Sequence, residues 1–339
     1  MIKVLVVDDS SFMRKSISYI LKSDPEIDVA GAVDNGEEAL RQVKVLHPDV
    51  VLLDIAMPQM DGLTALTHIM AQCPTPVLIL SGLDKKDVSV ILKSLQLGAV
   101  DYIQKPAGLI SYDIDDIKNE IITKVHIAAK AKVSMIEQPV AAKSCANKKN
   151  KKKAKKKIVV IGASTGGPKA IAKVLSGITQ KISAGILIIQ HMSKEFTPFF
   201  SEQLKLECAL NISEARDNDS ICPGSVYVAP GGFQTGIFDD GVKKRIELSD
   251  MTLKMQSIDY TMRSAVKVYG GDIVGVLLTG MGSDGAEGLK AIKKAGGSTI
   301  AEDESTCVIF GMPRAAIELG CVDTVVPLPQ VAETIMRMI

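Results

Sequence analysis

The sequence predicts an α/β protein with two doubly wound domains, each built around a mainly parallel sheet. Two stretches of the 339-residue chain repeat a short apolar strand, a turn and an amphipathic helix, and a lysine-rich segment separates them. Uniformly apolar strands that alternate with helices are typical of parallel sheets covered on both faces. We therefore expect one domain over residues 1–125, a helix end and lysine-rich linker over 126–157, and a second domain over 158–339.

The first domain alternates five predicted strands with five predicted helices. The strands are Lys3–Val7, Val29–Val33, Val50–Leu53, Val77–Leu80 and Tyr102–Ile103. The helices are Ser11–Leu21, Gly36–Leu46, Leu63–Ala71, Lys85–Leu97 and a last one from about Ile114 to Lys132. Apolar residues recur along one face of that last helix, as expected for a helix that packs on a sheet.

The linker contains nine lysines between Lys143 and Lys157 and no acidic residue. Like charges at this density repel one another and extend the chain, which favours a solvated linker. Two alternatives are contact with an acidic surface or anionic lipid, and binding of nucleic acid. No helix-turn-helix pattern accompanies the lysines, so nucleic acid is the least favoured partner.

The second domain resumes the alternation after the linker. Its predicted strands are Ile158–Ile161, Gly185–Ile189, Asn211–Glu214, Ile273–Leu278, Ser298–Ala301 and Thr324–Val326. Residues 225–248 differ, because short strands there are joined by glycine-containing turns at 231–232 and 240–241. We expect Ser225–Ala229, Gly236–Phe238 and Lys243–Leu248 to form an antiparallel insertion.

The composition excludes several classes of protein. The net charge is +1, Trp is absent and aromatic residues make up 4%, so a base-stacking surface is not expected. Six cysteines without a C-x-x-C pair indicate neither a zinc nor a redox site. No apolar run reaches the roughly 18 residues of a membrane span, and the first residues lack the apolar region of a signal peptide. We expect a cytoplasmic protein with no stable membrane insertion.

Acidic, hydroxyl and amino side chains follow the strands of the first domain. Asp8 and Asp9 follow the first strand, Asp54 the third, Ser81 the fourth and Lys105 the fifth. The carboxyl ends of parallel strands meet at one edge of a sheet, so these side chains should lie together. Three carboxylates in one place favour a hard divalent cation such as Mg²⁺. Asp54, at the centre, is the best nucleophile toward a phosphoryl group, whose charge the metal and Lys105 would neutralise.

These residues closely resemble the two-component receiver family. The matching positions are Asp8-Asp9, Leu53–Pro58, Asp61-Gly62, Ser81 and Lys105-Pro106. The resemblance covers about residues 1–125 and implies a flavodoxin-like fold, with Mg²⁺ as cofactor and a sensor histidine kinase as phosphoryl donor. It also implies that Asp54 is phosphorylated, that Ser81 contacts the phosphoryl group and that Tyr102 reorients.

A serine in the second domain lies in a glycine-rich turn between a strand and a helix. The run Gly162-Ala163-Ser164-Thr165-Gly166 fits the nucleophile-elbow pattern G-x-S-x-G, which lifts a serine above a sheet edge. The alternative is a dinucleotide-binding loop, which requires an acidic residue at the end of the next strand. That strand ends in Gln190-His191, which favours catalysis.

A base and an orienting acid are available at the same predicted edge. His191 is a candidate general base, although a single histidine is more often structural. Asp284 follows a later strand in a glycine-rich loop, where it is either the orienting acid or only a helix cap. Backbone N–H groups near Thr165 and Met281 are candidates for an oxyanion hole.

The second domain resembles the chemotaxis protein-glutamate methylesterase (CheB) family over about residues 158–337. The matching motifs are Gly162–Pro168, Gln190-His191-Met192 with Phe196-Thr197, Ala229–Gly232, Asp259 with Arg263-Ser264, Thr279–Gly285 and Gly311–Pro313. The resemblance implies a Rossmann-like methylesterase domain without a cofactor and a Ser164, His191, Asp284 triad. Its implied substrate is a glutamyl γ-methyl ester on chemoreceptors, with deamidation of glutamine in many members.

Two positions depart from the family pattern. Phe233-Gln234 stands where the family usually has a histidine, and Gln256–Asp259 stands where it usually has Pro-Ser-Val-Asp. We expect both segments to lie in substrate-facing loops. We also expect the unphosphorylated first domain to cover or misalign the hydrolase site. The rival functions are an output domain that only binds a partner and a hydrolase of another ester.

Overall fold

The computed structural model describes residues 1–82, 85–105, 114–133, 157–178, 182–250 and 257–339. The chain divides into two compact units, Met1–Gln138 and Pro139–Ile339. The lysine-rich run up to residue 156 lies outside the described residues, so the expected limits at 125 and 158 stay predictions.

The first unit is a five-stranded parallel sheet with helices between its strands. The strands are β1 Ile2–Val7, β2 Ile27–Val33, β3 Val50–Asp54, β4 Val77–Ser81 and β5 Asp101–Gln104. The helices are α1 Ser11–Leu21, α2 Gly36–Leu46, α3 Gly62–Gln72, α4 Lys85–Leu97 and α5 Ile114–Ala128. The strand order β2-β1-β3-β4-β5 is the flavodoxin-like order. The predicted fold class of this half is therefore confirmed.

Local sequence determines where these helices begin. The side chains of Ser10, Asn35 and Asp61 accept hydrogen bonds from the backbone of the first turns of α1, α2 and α3. Such caps satisfy N–H groups that have no partner within a helix. The predicted end of the last helix at Lys132 is wrong. The helix ends at Ala128, because the N–H groups of Lys130 and Ala131 bond to carbonyls only three residues back and form a turn.

The second unit is a seven-stranded parallel sheet with a separate hairpin. Its strands are β6 Lys157–Ala163, β7 Ala184–Gln190, β8 Asn211–Glu214, β9 Ser225–Val228, β10 Phe233–Asp239, β11 Lys244–Asp250, β12 Ile273–Leu277, β13 Ser298–Glu302 and β14 Thr324–Val326. Its helices are α6 Gly167–Gly177, α7 Thr197–Glu207, α8 Ile258–Tyr269, α9 Ala286–Lys294, α10 Met312–Glu318 and α11 Leu328–Met338. The sheet order is β14-β13-β12-β6-β7-β9-β8, so the chain changes direction across the sheet at β6.

The predicted antiparallel insertion is only partly correct. β10 and β11 form the expected antiparallel pair, joined by a turn at Asp240-Gly241. β9 does not join them, because it pairs in parallel with both β7 and β8 inside the main sheet. Three of its four residues are buried, a pattern that fits either sheet, so the sequence alone does not identify the sheet to which β9 belongs.

The hairpin packs against α8. Ile237 and Ile246 of the hairpin are buried in one apolar cluster with Ile258 and Met262 of the helix. Polar contacts add to this packing: the Thr261 hydroxyl donates to the carbonyl of Thr235 at 2.6 Å. Helix α8 is therefore held between the sheet and the hairpin. Within the described part of the chain, no helix combines the length and the apolar character required to cross a bilayer.

We predict that Gly62→Ala destabilises the first unit by roughly 1–3 kcal/mol, the usual cost of overpacking. A Cβ at this position would lie 2.0 Å from the carbonyl oxygen of Asp54, which is rigid backbone. Gly82→Ala is the control, since its Cβ would meet nothing closer than 3.7 Å. Urea unfolding of the full chain measures both variants. Equal stability of the two variants would contradict the prediction.

Candidate active site

Three carboxylates converge at the carboxyl ends of β1 and β3 in the first unit. One oxygen each of Asp8, Asp9 and Asp54 lies within 4.8 Å of the others. Asp8 and Asp54 are buried, whereas Asp9 is exposed. Oxygen donors at this spacing, with one open side, fit a hard cation such as Mg²⁺, which retains waters in its coordination shell.

Lys105 closes the buried side of this acidic cluster. Its Nζ lies 2.9 Å from Asp8 Oδ2 and 2.8 Å from Asp54 Oδ1. Burial alone would lower the pKa of Lys105, but its two carboxylate partners outweigh burial and raise it. Burial raises the pKa of Asp54, because the contact with Lys105 offsets only part of the lost hydration. The ammonium group of Lys105 therefore neutralises only part of the negative charge of the three carboxylates.

Ser81 lies at the same edge and makes a contact that the sequence did not predict. Its hydroxyl donates to Asp87 Oδ2 in the first turn of α4, at 3.2 Å. Arg14 also was not predicted: its guanidinium donates to the carbonyls of Asp8 and Asp9 at 2.6 and 3.0 Å. Tyr102 lies in β5, where its backbone carbonyl accepts a hydrogen bond from Lys124. Neither Arg14 nor Asp87 follows a strand, so the strand-end rule could not single them out.

Ser164 lies just beyond the carboxyl end of β6, where a tight turn leads into α6. Gly166 in this turn has φ +78°, a conformation that side-chain-bearing residues avoid. The Ser164 N–H donates to the carbonyl of Thr279 at 3.0 Å. A Cβ at Gly280 would lie 2.8 Å from the Ser164 Cβ, so the two loops approach closely only because residue 280 is glycine.

His191 and Asp284 are joined directly. The His191 Nε2–H donates to Asp284 Oδ2 at 2.9 Å, and the imidazole is largely buried, with 6% of its side chain exposed. The His191 N–H also donates to the carbonyl of Ala163, the residue before Ser164. No hydrogen bond joins the Ser164 hydroxyl to His191 within the described residues. Because Nε2 faces the acid, Nδ1 is the ring nitrogen left for that hydroxyl.

Asp284 is held by the N-terminus of α8. Besides His191, its carboxylate accepts hydrogen bonds from the N–H groups of Ile258 (2.8 Å) and Asp259 (3.0 Å) and from the Ser257 hydroxyl (3.1 Å). A helix N-terminus stabilises negative charge. Burial opposes ionisation of Asp284, but these hydrogen bonds together outweigh it and hold its pKa below the ordinary value. The acid is therefore charged and fixed in orientation.

A second aspartate makes the reciprocal contact. Asp259 Oδ1, in the first turn of α8, accepts a hydrogen bond from the Gly288 N–H in the first turn of α9 at 2.6 Å. Asp284, just before α9, caps α8 in return. Burial and the nearby charge of Asp284 raise the pKa of Asp259. A carboxylate at the start of each helix thus accepts hydrogen bonds from the N-terminus of the other helix. These bonds fix the loop that carries Asp284.

Two backbone N–H groups near Ser164 have no hydrogen-bond acceptor in the part of the chain that the structure describes. Neither the Thr165 N–H nor the Met281 N–H donates to any residue that the structure describes. Thr165 directly follows Ser164. Met281 directly follows Gly280, the residue that packs closely against Ser164. Free N–H donors close to a serine are what an oxyanion hole requires.

Glu302 holds the backbone of Thr279, at the start of the loop that carries Met281 and Asp284. It ends β13, is fully buried, and accepts a hydrogen bond from the Thr279 N–H at 2.9 Å. Its other oxygen, Oε1, has no hydrogen-bond partner among the described residues. Burial raises the pKa of Glu302 above the ordinary 4.5. Glu302 was not predicted as part of the site, because an acid at the last position of a strand looks like a turn residue.

The expectation that Gln234 lies in a substrate-facing loop is wrong. Gln234 lies within β10 and is buried, and its Oε1 accepts a hydrogen bond from the Ser257 N–H at 3.0 Å. Phe233 beside it is exposed. Gln256, at the other departure from the family pattern, lies outside the described residues. Gln234 thus supports the residue that caps α8 and contacts Asp284.

We predict that Glu302→Gln makes the second unit more stable than the wild type, increasingly so as pH rises above 4.5. The folded chain holds the proton of Glu302 more tightly than the unfolded chain. Folded stability is therefore lost as pH rises through the raised pKa, by about 1.4 kcal/mol for each tenfold difference in proton affinity between the folded and unfolded chains. Denaturant unfolding at several pH values measures this loss. Glu304→Gln, at an exposed position, should show no such trend, and a pH-independent effect of Glu302→Gln would contradict the prediction.

Comparison with known proteins identifies both units. A family model described as CheB methylesterase matches residues 159–335, and one described as response regulator receiver domain matches residues 4–111. A relative from Pyrococcus abyssi, named protein-glutamate methylesterase/protein-glutamine glutaminase, is 42% identical over 345 residues and covers 100% of this chain and 94% of its own. A relative of the same name from Syntrophomonas wolfei is 41% identical and covers 99% of both chains.

A solved structure agrees with this result for the second unit. The crystal structure of the Thermotoga maritima CheB methylesterase catalytic domain is 37% identical, with a TM-score of 0.53. The match covers 55% of this chain and 100% of that domain. The chain therefore belongs to the CheB methylesterase family and carries an N-terminal response regulator receiver domain.

Proposed function

We propose that this chain is a phosphorylation-activated serine hydrolase that removes methyl groups from glutamate γ-methyl esters on cytoplasmic segments of chemoreceptors. Ser164 is the nucleophile, His191 the general base and Asp284 the orienting acid. One observation carries this proposal: the 2.9 Å hydrogen bond from His191 Nε2 to a partly buried, charged Asp284, at the sheet edge that also holds Ser164. Relatives named protein-glutamate methylesterase supply the substrate class.

The first half of the reaction transfers the acyl group to the enzyme. Ser164 Oγ attacks the ester carbonyl while its proton passes to His191 Nδ1, and Asp284 stabilises the imidazolium. The tetrahedral oxyanion accepts hydrogen bonds from the N–H groups of Thr165 and Met281. The C–O bond to methanol then breaks, and methanol leaves with the proton held by His191.

Water completes the cycle through the same groups. It loses a proton to His191, attacks the acyl-enzyme, and restores the Ser164 hydroxyl as the glutamate carboxylate leaves. Each turnover adds one negative charge to the receptor, which is a suitable output for adaptation. The same attack on a glutamine carboxamide would release ammonia, and the names of the relatives include this second activity.

The first unit supplies the control. The carboxylate of Asp54 attacks a phosphoryl group donated by a sensor histidine kinase, while Lys105 pairs with the transferred charge and Ser81 contacts its oxygens. Mg²⁺ bound by Asp8, Asp9 and Asp54 would offset the remaining negative charge. Phosphorylation then biases a two-state arrangement in which the unphosphorylated receiver restrains the hydrolase. The raised pKa of Lys105 supports this role, because the side chain stays protonated beside the acids.

We predict that Ser164→Ala abolishes release of methanol from methylated receptor fragments. Asp284→Asn should lower kcat roughly 10⁴-fold, the typical loss when an amide replaces the orienting carboxylate. Ser176→Ala, at an exposed position at the far end of α6, is the matched control and should keep full activity. Methanol release and gain of negative charge on the fragment are measured together. Turnover by Ser164→Ala would exclude the hydrolase mechanism and leave an output domain that only binds.

We predict that a small-molecule phosphoryl donor raises the hydrolysis rate only when Mg²⁺ is present and Asp54 is intact. A chelator, or Asp54→Asn, should leave the basal rate unchanged and remove the response to the donor. Asp28→Asn, at an exposed position in β2, should respond like the wild type. Equal rates with and without the donor, when phosphorylation is verified by mass, would contradict the proposed control.

A further inference from the structure

Gln190, the last residue of β7, connects the two loops that carry the nucleophile and the base. Its side chain is buried, with only 2% of the residue exposed. Its Nε2 donates hydrogen bonds to the carbonyl of Ser164 at 2.9 Å and to the carbonyl of His191 at 3.2 Å. Within the described residues, it is the one side chain that bonds to both of these residues.

The oxygen end of the amide differs from the nitrogen end. Oε1 of Gln190 has no partner within the described residues. The two carbonyls force this orientation, because a rotated amide would place its oxygen against theirs. A buried oxygen without a partner costs stability, so the amide is kept for the two hydrogen bonds that its Nε2 makes.

Gly167 makes room for this amide. A Cβ on Gly167, the first residue of α6, would lie 2.0 Å from Gln190 Oε1 and 2.9 Å from the Ala163 Cβ. The start of α6 thus fits closely around the amide, on the side opposite the two carbonyls. The side chain of Gln190 has little freedom to move, so both of its hydrogen bonds are held in place.

A backbone hydrogen bond from the His191 N–H to the carbonyl of Ala163 also joins the two loops, and other contacts fix each loop separately. Asp284 holds the His191 imidazole through Nε2, and the carbonyl of Thr279 holds the Ser164 N–H. Neither contact sets the distance between the hydroxyl and Nδ1. The β6–β7 ladder ends at the pair Ala163 and Gln190, one residue short of both catalytic positions. The Gln190 amide spans the positions immediately after that ladder.

We propose that Gln190 is a positioning residue that sets the separation between the Ser164 hydroxyl and His191 Nδ1. This inference rests on the proposed function, since it assigns no separate reaction. Gln190 touches no substrate, because its side chain is buried beneath both loops. It acts on the proton transfer alone, by keeping the hydroxyl and the imidazole within reach of one another.

The first test replaces Gln190 by methionine, which keeps the length of the side chain and removes the donor. We expect kcat on methylated receptor fragments to fall roughly 10- to 100-fold, the range caused by a displacement of about 1 Å at a reacting pair. KM and the pH of half-maximal activity should stay unchanged, because the substrate surface and the His191–Asp284 contact are intact. Gln330→Met, at an exposed position of α11, should match the wild type.

A fluorophosphonate probe reports on the same step without the receptor. Its phosphorus forms a bond to Ser164 Oγ, fluoride leaves and His191 takes the hydroxyl proton. Labelling of Gln190→Met should slow by the same factor as kcat, while urea unfolding shows a folded second unit. Unchanged kcat and labelling in a folded variant would overturn the inference, as would a shifted pH of half-maximal activity with an unchanged maximal rate.

A double-mutant cycle tests the role of Gly167. Gly167→Ala should lower kcat in the wild type, because its Cβ displaces the amide. It should have a much smaller effect when Gln190 is already alanine, and fully additive losses would contradict the proposed route. Failure of this inference is distinguishable from failure of the proposed function. If Ser164→Ala still releases methanol, the proposed hydrolase mechanism is wrong. If Ser164→Ala is inactive but Gln190→Met keeps wild-type activity, only the positioning role of Gln190 is wrong.

Discussion

The catalytic unit depends on one electrostatic arrangement: the carboxylate of Asp284 placed at the N-terminus of α8. Four hydrogen bonds converge on it, one from His191 and three from the first turn of the helix and its cap. An isolated buried carboxylate would take up a proton and lose its influence on the imidazole. The free N–H groups of α8 prevent this, because they replace the lost water. The packing of α8 between sheet and hairpin thus places its free N–H groups where they keep Asp284 ionised.

The sequence predicted the parts of both sites that follow directly from strand order. Asp8, Asp54, Ser164 and His191 each follow an apolar strand, and parallel strands bring such residues to one edge. The core strands and most helices of the first unit were predicted almost to the residue, because buried parallel strands and amphipathic helices leave clear patterns. The error at β9 arises because a strand of four mostly buried residues does not specify its neighbouring strand.

The supporting residues could not be predicted, because their roles depend on tertiary contacts between distant segments. Asp284 is 25 to 27 positions from Ser257, Ile258 and Asp259, and Glu302 is 23 positions from Thr279. No local pattern marks a glutamate that supports a loop or an aspartate that caps a helix elsewhere in the chain. The sequence marked Gln190 only as part of a motif and did not indicate that its amide bonds to the carbonyls of Ser164 and His191.

The reciprocal contacts of Asp259 and Asp284 with the N-termini of α9 and α8 have a consequence for evolution in a lineage that no longer needs the enzyme. The hydroxyl of Ser164, the proposed nucleophile, makes no hydrogen bond among the described residues, so its loss would leave the fold almost untouched. Asp259 and Asp284 each satisfy backbone groups of a helix, and removal of either would leave buried donors unmet. A descendant that had abandoned catalysis would therefore discard its nucleophile early and retain both aspartates, so their presence alone is no sign of a working enzyme.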